Sequence, residues 1–140
     1  MARYFTPKGD FRYISDTFPW PQSVTVAQVK AVAEAARSLR ALRREIMAAN
    51  GWSLRDLYRT LETPGTNRLR DAHAALDSAV RAAYGMKEGE DTLAWLLALN
   101  LELADMEARG EAISPPGLAV TAGQAAEFMG KDCIQALSQD

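Results

Sequence analysis

The fold of this chain follows from two neighbouring stretches, SLRDLY at residues 53–58 and LRDAHAALDSAVRAAYG at residues 69–85. Apolar side chains in the second stretch recur at steps of three and four residues, which is the spacing of one face of an α-helix. That face consists of Leu69, Ala72, His73, Leu76, Val80 and Ala83. Gly85 follows it and suits the left-handed residue that ends many helices. The pattern predicts a helix with His73 on its apolar face.

The first stretch begins with a capping box, in which Ser53 and Asp56 satisfy each other's backbone N–H groups. It predicts a short helix that ends in the turn at residues 62–66. A second capping box, Thr25 and Gln28, predicts a long helix that ends at Asn50-Gly51.

A leucine-rich stretch predicts a further helix from Asp91 to Arg109-Gly110. Its leucines are distributed almost all round, so we expect it either to be central or to dock its outer face on another domain or subunit. The cap-like residues 121–124 predict a last, weak helix with Phe128, Ile134 and Leu137.

The N-terminal residues form an arm rather than a helix. Prolines in FPWP at residues 18–21 favour extended backbone. The aromatic side chains of Tyr13, Phe18 and Trp20 would be costly to leave in water, so the arm is either a structural strap or a recognition peptide for an aromatic groove, and the strap is favoured. The fold class is therefore mainly α, a four- to five-helix bundle with an extended N-terminal arm. The predicted divisions are an arm at 1–24, a helical bundle at 25–112, and a C-terminal tail with a weak helix at 113–140.

Charge is divided unevenly along the chain. Residues 25–85 hold ten Lys/Arg against six Asp/Glu, whereas residues 86–140 hold three against ten. Long cations at helical spacing can follow a nucleic-acid backbone, although a solvated helix face is the plainer interpretation. The candidate phosphate contacts are Lys30, Arg37, Arg40, Arg44, Arg55, Arg59, Arg68 and Arg70.

Several classes of protein are disfavoured. The single cysteine, Cys133, leaves no disulfide and no cysteine pair for zinc, which favours a cytoplasmic protein, and no apolar run is long enough for a membrane span. No phosphate loop, dinucleotide fingerprint or metalloprotease motif occurs, so we expect no cofactor, no metal and no enzyme activity in this chain alone. His73 is expected to bond Asp77 or a backbone carbonyl rather than to act as a base, and Asp77 to pair with Arg81.

The order FPWP, an alanine- and arginine-rich helix, Leu57-Tyr58, and then the 69–85 stretch resembles the C-terminal helical region of MmeI-like (Type IIL) DNA methyltransferases and restriction-modification enzymes. The resemblance covers roughly residues 10–110. It implies a region that follows an adenine methyltransferase domain and a target-recognition domain. The adenine-binding Asn-Pro-Pro-Tyr/Phe motif and the glycine-bearing S-adenosylmethionine loop are both missing, so the resemblance implies no methyl transfer by this chain alone.

On that resemblance, the chain is expected to be a non-catalytic module that supports DNA binding or docks on the methyltransferase and recognition domains. Its candidate interface residues are Phe18, Trp20, Trp95 and Leu99. The residues that carry the family motif are Tyr58, His73, Asp77 and Tyr84. The alternative is a small helical protein–protein adapter or homo-oligomer unrelated to DNA. A third interpretation, an enzyme that uses His73 and Asp77, requires His73 to be accessible in a cleft.

Overall fold

The computed structural model describes residues 18–113 and 123–129, and within them the protein is mainly α-helical, as the sequence predicted. The helices are α1 (Val26–Asn50), α2 (Leu54–Arg59), α3 (Arg68–Ala83), α4 (Thr92–Ala108) and α5 (Ala125–Phe128). A 3₁₀ turn at Thr60–Glu62 follows α2. No strand occurs in these two ranges. The predicted divisions at 1–24, 25–112 and 113–140 stay predictions.

Both predicted capping boxes are present. Thr25 Oγ1 accepts the Gln28 N–H at 3.2 Å, and Gln28 Oε1 accepts the Thr25 N–H at 2.8 Å. α1 ends at Gly51, whose φ of 66° is the left-handed conformation that glycine adopts without strain. The Ser53 hydroxyl donates to Asp56 at 2.6 Å. Thr25 thus fixes the start of α1, Gly51 its end, and Ser53 the start of α2, so the turn between the two helices is set by local interactions.

Asn67 caps the start of α3, a role that was not predicted from the sequence. Its Oδ1 accepts the N–H groups of Leu69 at 2.9 Å and Arg70 at 3.3 Å. Its Nδ2 also donates to the carbonyl of Thr60 at 2.9 Å. One side chain therefore caps α3 and ties it to the 3₁₀ turn.

The main core lies where α1, α2 and α3 meet. Leu39, Leu57 and Leu69 come from these three helices, and each is almost completely buried. The apolar side chains packed around them are Ile46, Met47, Leu61, Ala72 and Leu76. α1 and α3 make the most extensive helix pair, and α5 lies beside α1.

α4 is not a central helix surrounded by protein, which was one of the two predicted arrangements. Its Leu103 is buried, but Leu93, Leu97 and Leu101 are 78%, 59% and 55% exposed. The start of α4 is held by the predicted Asp91 cap, which accepts the Ala94 N–H at 2.7 Å. The second predicted arrangement, in which the outer face of α4 docks on another domain or subunit, stays a prediction, and the structure shows only that this face is exposed.

Two further predictions concern the ends of the chain. The part of the arm at residues 18–24 is non-helical, as expected, and residues 1–17 lie outside the described residues. The C-terminal helix begins at Ala125 and is four residues long, while Ile134 and Leu137 lie outside the described residues. No helix in the described ranges is long and apolar enough to cross a bilayer.

Candidate functional site

The exposed side of α1 carries a row of cations that we call the basic face. It consists of Lys30, Arg37, Arg40 and Arg44, all exposed. Helical periodicity gathers these positions on the side of α1 away from the buried Leu39. Lys30 and Arg44 are about 21 Å apart along the axis, since each residue of an α-helix advances about 1.5 Å. The four predicted contacts on α1 are therefore brought onto one surface.

Two of the other predicted phosphate contacts, Arg68 and Arg59, lie beside carboxylates of the protein itself. Arg68 Nη1 lies 3.0 Å from Oε1 of Glu45, which reduces the effect of that glutamate beside the basic face. Arg59 lies 3.8 Å from Asp56. Arg55 is exposed and makes no ion pair with any residue that the structure describes.

Arg70 differs from the other predicted contacts, because its guanidinium is engaged by the protein itself. It donates to the carbonyl oxygens of Gly65 at 2.7 Å, Leu61 at 2.8 Å and Thr63 at 3.0 Å. These bonds hold the turn between the 3₁₀ segment and α3. Arg70 serves the fold at this position, and a phosphate would have to compete with three carbonyls for it.

The predicted ion pair between Asp77 and Arg81 is not formed. Arg81 instead donates to Thr92 Oγ1 at 2.6 Å and to the carbonyl of Glu90 at 2.6 Å. These acceptors are better placed because they belong to the loop after α3 and to the first turn of α4, which fold back against Arg81. Arg81 therefore ties α4 to the end of α3.

The predicted partner of His73 was also wrong. His73 Nε2 lies 3.0 Å from the hydroxyl of Tyr58, and the two rings meet edge to face with centroids 5.6 Å apart. Asp77 is exposed and makes no hydrogen bond to His73. His73 is half-buried, and its hydrogen-bond partner is the phenol of Tyr58 rather than the carboxylate of Asp77.

An apolar groove lies between the start of α1 and the end of α3. Its volume is about 370 Å³. The residues that line it are Trp20, Pro21, Val24, Val29, Val32, Ala33, Val80, Ala83 and Tyr84. Trp20 is half-buried here and Phe18, 41% exposed, packs edge-on against it with centroids 6.0 Å apart. This part of the arm lies across the body of the domain, as the strap interpretation predicted. Val80, expected to face the core, is 37% exposed because it lines this open groove.

The exposed side of α4 forms what we call the leucine ridge, made of Leu93, Leu97 and Leu101. Trp95 and Leu99, which were predicted to be interface residues, are half-buried on the other side of the helix. Trp95 meets the Tyr84 ring edge to face, with centroids 5.6 Å apart, and burial raises the pKa of Tyr84. The exposed leucines of α4 are therefore not the residues that were predicted to form an interface, and the interface itself stays a prediction.

Comparison with known families decides the affiliation of this set of helices. The family described as "MmeI, C-terminal domain" matches residues 24–106. This chain belongs to that family. The match confirms the resemblance seen in the sequence, and the family is a domain of Type IIL restriction-modification enzymes. No curated protein and no solved structure matches the chain.

The extent of the MmeI C-terminal domain match agrees with the architecture. It begins two residues before α1 and ends within the last turn of α4. It includes the basic face, the Tyr58–His73 pair and the leucine ridge, but not Phe18 or Trp20. The basic face and the leucine ridge thus belong to the family domain, and the strap lies outside it.

Proposed function

We propose that this MmeI-type C-terminal domain is a non-catalytic module of a DNA adenine methyltransferase or restriction-modification system. In this proposal the basic face contacts DNA phosphates, and the domain docks on the methyltransferase or target-recognition domain. The observation that carries the proposal is the placement of Lys30, Arg37, Arg40 and Arg44 on one exposed side of a single long helix.

A straight row of cations suits a phosphate backbone. Each Lys or Arg that neutralises a phosphate releases condensed counterions, which favours binding without any base contact. Glu45 opposes this effect, but its carboxylate is paired with Arg68. The acidic α4 region would be repelled by DNA, so the domain would bind with α1 toward the duplex and α4 away from it.

In this proposal, methyl transfer is carried out by other parts of the system. Methylation of a flipped adenine needs an adenine-binding motif and an S-adenosylmethionine site, and neither motif occurs in this sequence. The side chains on the basic face are those of lysine and arginine, which bind phosphates and do not transfer methyl groups. The contribution of this chain is therefore to binding and positioning.

Fluorescence anisotropy with a short labelled duplex tests the DNA half of the proposal. We expect Arg40→Gln combined with Arg44→Gln to weaken binding at low salt by tenfold or more. The matched control, Lys87→Gln combined with Arg109→Gln, removes the same charge from the acidic region and should have a much smaller effect. Equal affinities for the two double variants, or no binding by the natural chain at low salt, would refute the phosphate contacts.

The adapter or homo-oligomer alternative is favoured by one observation, the exposure of the leucine ridge. It predicts a dimer in light scattering that dissociates on Leu97→Glu, together with no affinity for DNA. Trp95 and Leu99 are unsuitable positions for this test because both are half-buried, and a charge there would disturb the fold itself.

A further inference from the structure

We infer that the leucine ridge docks against a basic protein surface, an apolar groove flanked by Lys or Arg on another domain or subunit of the same system. The inference deepens the docking half of the proposed function and rests on it. It adds which face of the domain makes the contact and what chemistry the partner must have.

The shape of the ridge suits a groove between helices or beside one. Leu93, Leu97 and Leu101 follow each other at four-residue steps, which forms an inclined row of side chains on a helix. Ala94 and Ala98 form the next row and are also exposed, so a shallow channel runs beside the ridge. Large side chains beside small ones are the pattern that a second helix can interlock with.

Charge decides what kind of partner fits. The next residue in the row of ridge leucines, four positions after Leu101, is Asp105. The next residue in the row of alanines, four positions after Ala98, is Glu102. Both carboxylates are exposed, and neither lies within ion-pair distance of any residue in the described ranges; the charge of each acts on Arg109, just after α4, whose closest carboxylate is that of Glu111. Residues 86–113 contain two Lys/Arg and seven Asp/Glu. The face is therefore apolar at its centre and acidic at one end, which favours a basic partner and opposes DNA.

The same features argue against a second copy of this domain as the partner. Two copies that met through α4 would bring two acidic regions together, with like charges near one apolar contact. Three leucines are also few compared with the roughly 20–30 residues that each side gives to a stable interface. A small face is sufficient when the partner belongs to the same polypeptide or assembly, because linkage raises the effective concentration to the millimolar range.

Two synthetic helical peptides provide the probe. Both carry leucines at four-residue steps with alanines beside them, and one is flanked by lysines whereas the other is flanked by glutamates. Because these peptides are not linked to the chain, they are titrated into the millimolar range that linkage would provide. We expect the 140-residue chain to bind the lysine peptide at least tenfold more tightly than the glutamate peptide, and binding should weaken as salt is raised. No binding of the lysine peptide, or equal binding of both peptides, overturns the inference.

Variants locate the contact. Leu97→Glu and Leu93→Glu should each weaken binding of the lysine peptide at least tenfold, whereas Leu54→Glu should not. Leu54 is a matched control because it is 52% exposed but lies on α2. Glu102→Gln with Asp105→Asn should weaken binding and reduce its salt dependence. Peptide binding that is unchanged by both ridge variants, with their helical circular dichroism retained, overturns the inference.

The DNA assay on the same proteins separates the two proposals. Leu97→Glu should leave DNA affinity unchanged, since the ridge is on α4 and the basic face on α1. Loss of peptide binding with DNA affinity retained supports the ridge as a separate contact. If the natural chain binds the lysine peptide through the ridge but binds no DNA, the phosphate contacts fail while the docking face stands.

Discussion

The hydroxyl of Tyr58 lies 3.0 Å from Nε2 of His73, and this contact between two half-buried side chains joins α2 to α3. The guanidinium of Arg43, from α1, lies over the same tyrosine ring at 5.3 Å from its centroid. One tyrosine therefore contacts a side chain from each of the two long helices of the core. This contact accounts for the His73 position as a packing feature.

Tyr58→Phe should lower the free energy of unfolding by about 1 kcal/mol, because it removes a hydrogen bond and leaves a ring nitrogen of His73 without its partner. Urea unfolding measures this change. Tyr84→Phe is the matched control, since the Tyr84 hydroxyl forms no hydrogen bond with any residue that the structure describes. A loss as large in Tyr84→Phe as in Tyr58→Phe would show that the Tyr58–His73 bond has no special value.

Asn67→Ala should destabilise the domain by about 1–2 kcal/mol, because Asn67 caps α3 and also bonds Thr60. Asn50→Ala should cost less, since Asn50 is exposed and its side chain makes a single bond to the carbonyl of Ile46 at 2.8 Å. Thermal unfolding of both variants checks the order. The assignment of Asn67 as the α3 cap would be wrong if the two melting temperatures fell equally.

Leu69→Ala should destabilise the domain by about 2–5 kcal/mol, because it opens a cavity at a position that is 1% exposed. Leu93→Ala makes the same chemical change at a position that is 78% exposed, and should alter stability by less than about 0.5 kcal/mol. Chemical denaturation distinguishes them. A large loss for Leu93→Ala would mean that the leucine ridge is covered within the chain itself.

Acid should weaken the start of α2. Hydrogen bonds from the side chain and backbone of Ser53 lower the pKa of Asp56 below its ordinary value near 3.8, and Arg59 adds to this effect. Because the folded pKa is the lower one, the stabilisation is present above the ordinary pKa and disappears as the pH falls through the folded pKa. Asp56→Asn should therefore lower the free energy of unfolding, relative to that of the natural chain, by more at pH 6 than at pH 2. Urea unfolding at both pH values measures this difference. A difference between Asp56→Asn and the natural chain that is as large at pH 2 as at pH 6 would contradict this account of Asp56.

The starts of α1, α2 and α4 were predictable because they depend on neighbouring residues, whereas the Asn67 cap of α3 was missed. Thr25, Ser53 and Asp91 cap helices through bonds to residues three positions away, and Gly51 and Gly85 end helices through their own backbone. Such features need no knowledge of tertiary structure. The fold class followed from these local features together with the apolar periodicity.

Side-chain partners were less predictable because they depend on how the helices pack. His73 and Arg81 each had a carboxylate candidate one turn away, at Asp77, but tertiary packing brought Tyr58 and the start of α4 closer to them. Which side of α4 is exposed could not be predicted, for a related reason. A helix that is apolar on every side gives no sign of which side is covered, so Trp95 and Leu99 were chosen where Leu93, Leu97 and Leu101 are exposed.

The salt dependence of DNA binding tests the central claim most directly. If the basic face contacts phosphates, a plot of log affinity against log salt concentration should fall steeply for the natural chain. Arg40→Gln with Arg44→Gln should reduce that slope by about 2, since each lost contact removes about 0.9. The Lys87→Gln with Arg109→Gln control should keep the natural slope. A slope that is near zero in the natural chain, or that is unchanged by loss of Arg40 and Arg44, would contradict the proposal that α1 binds DNA.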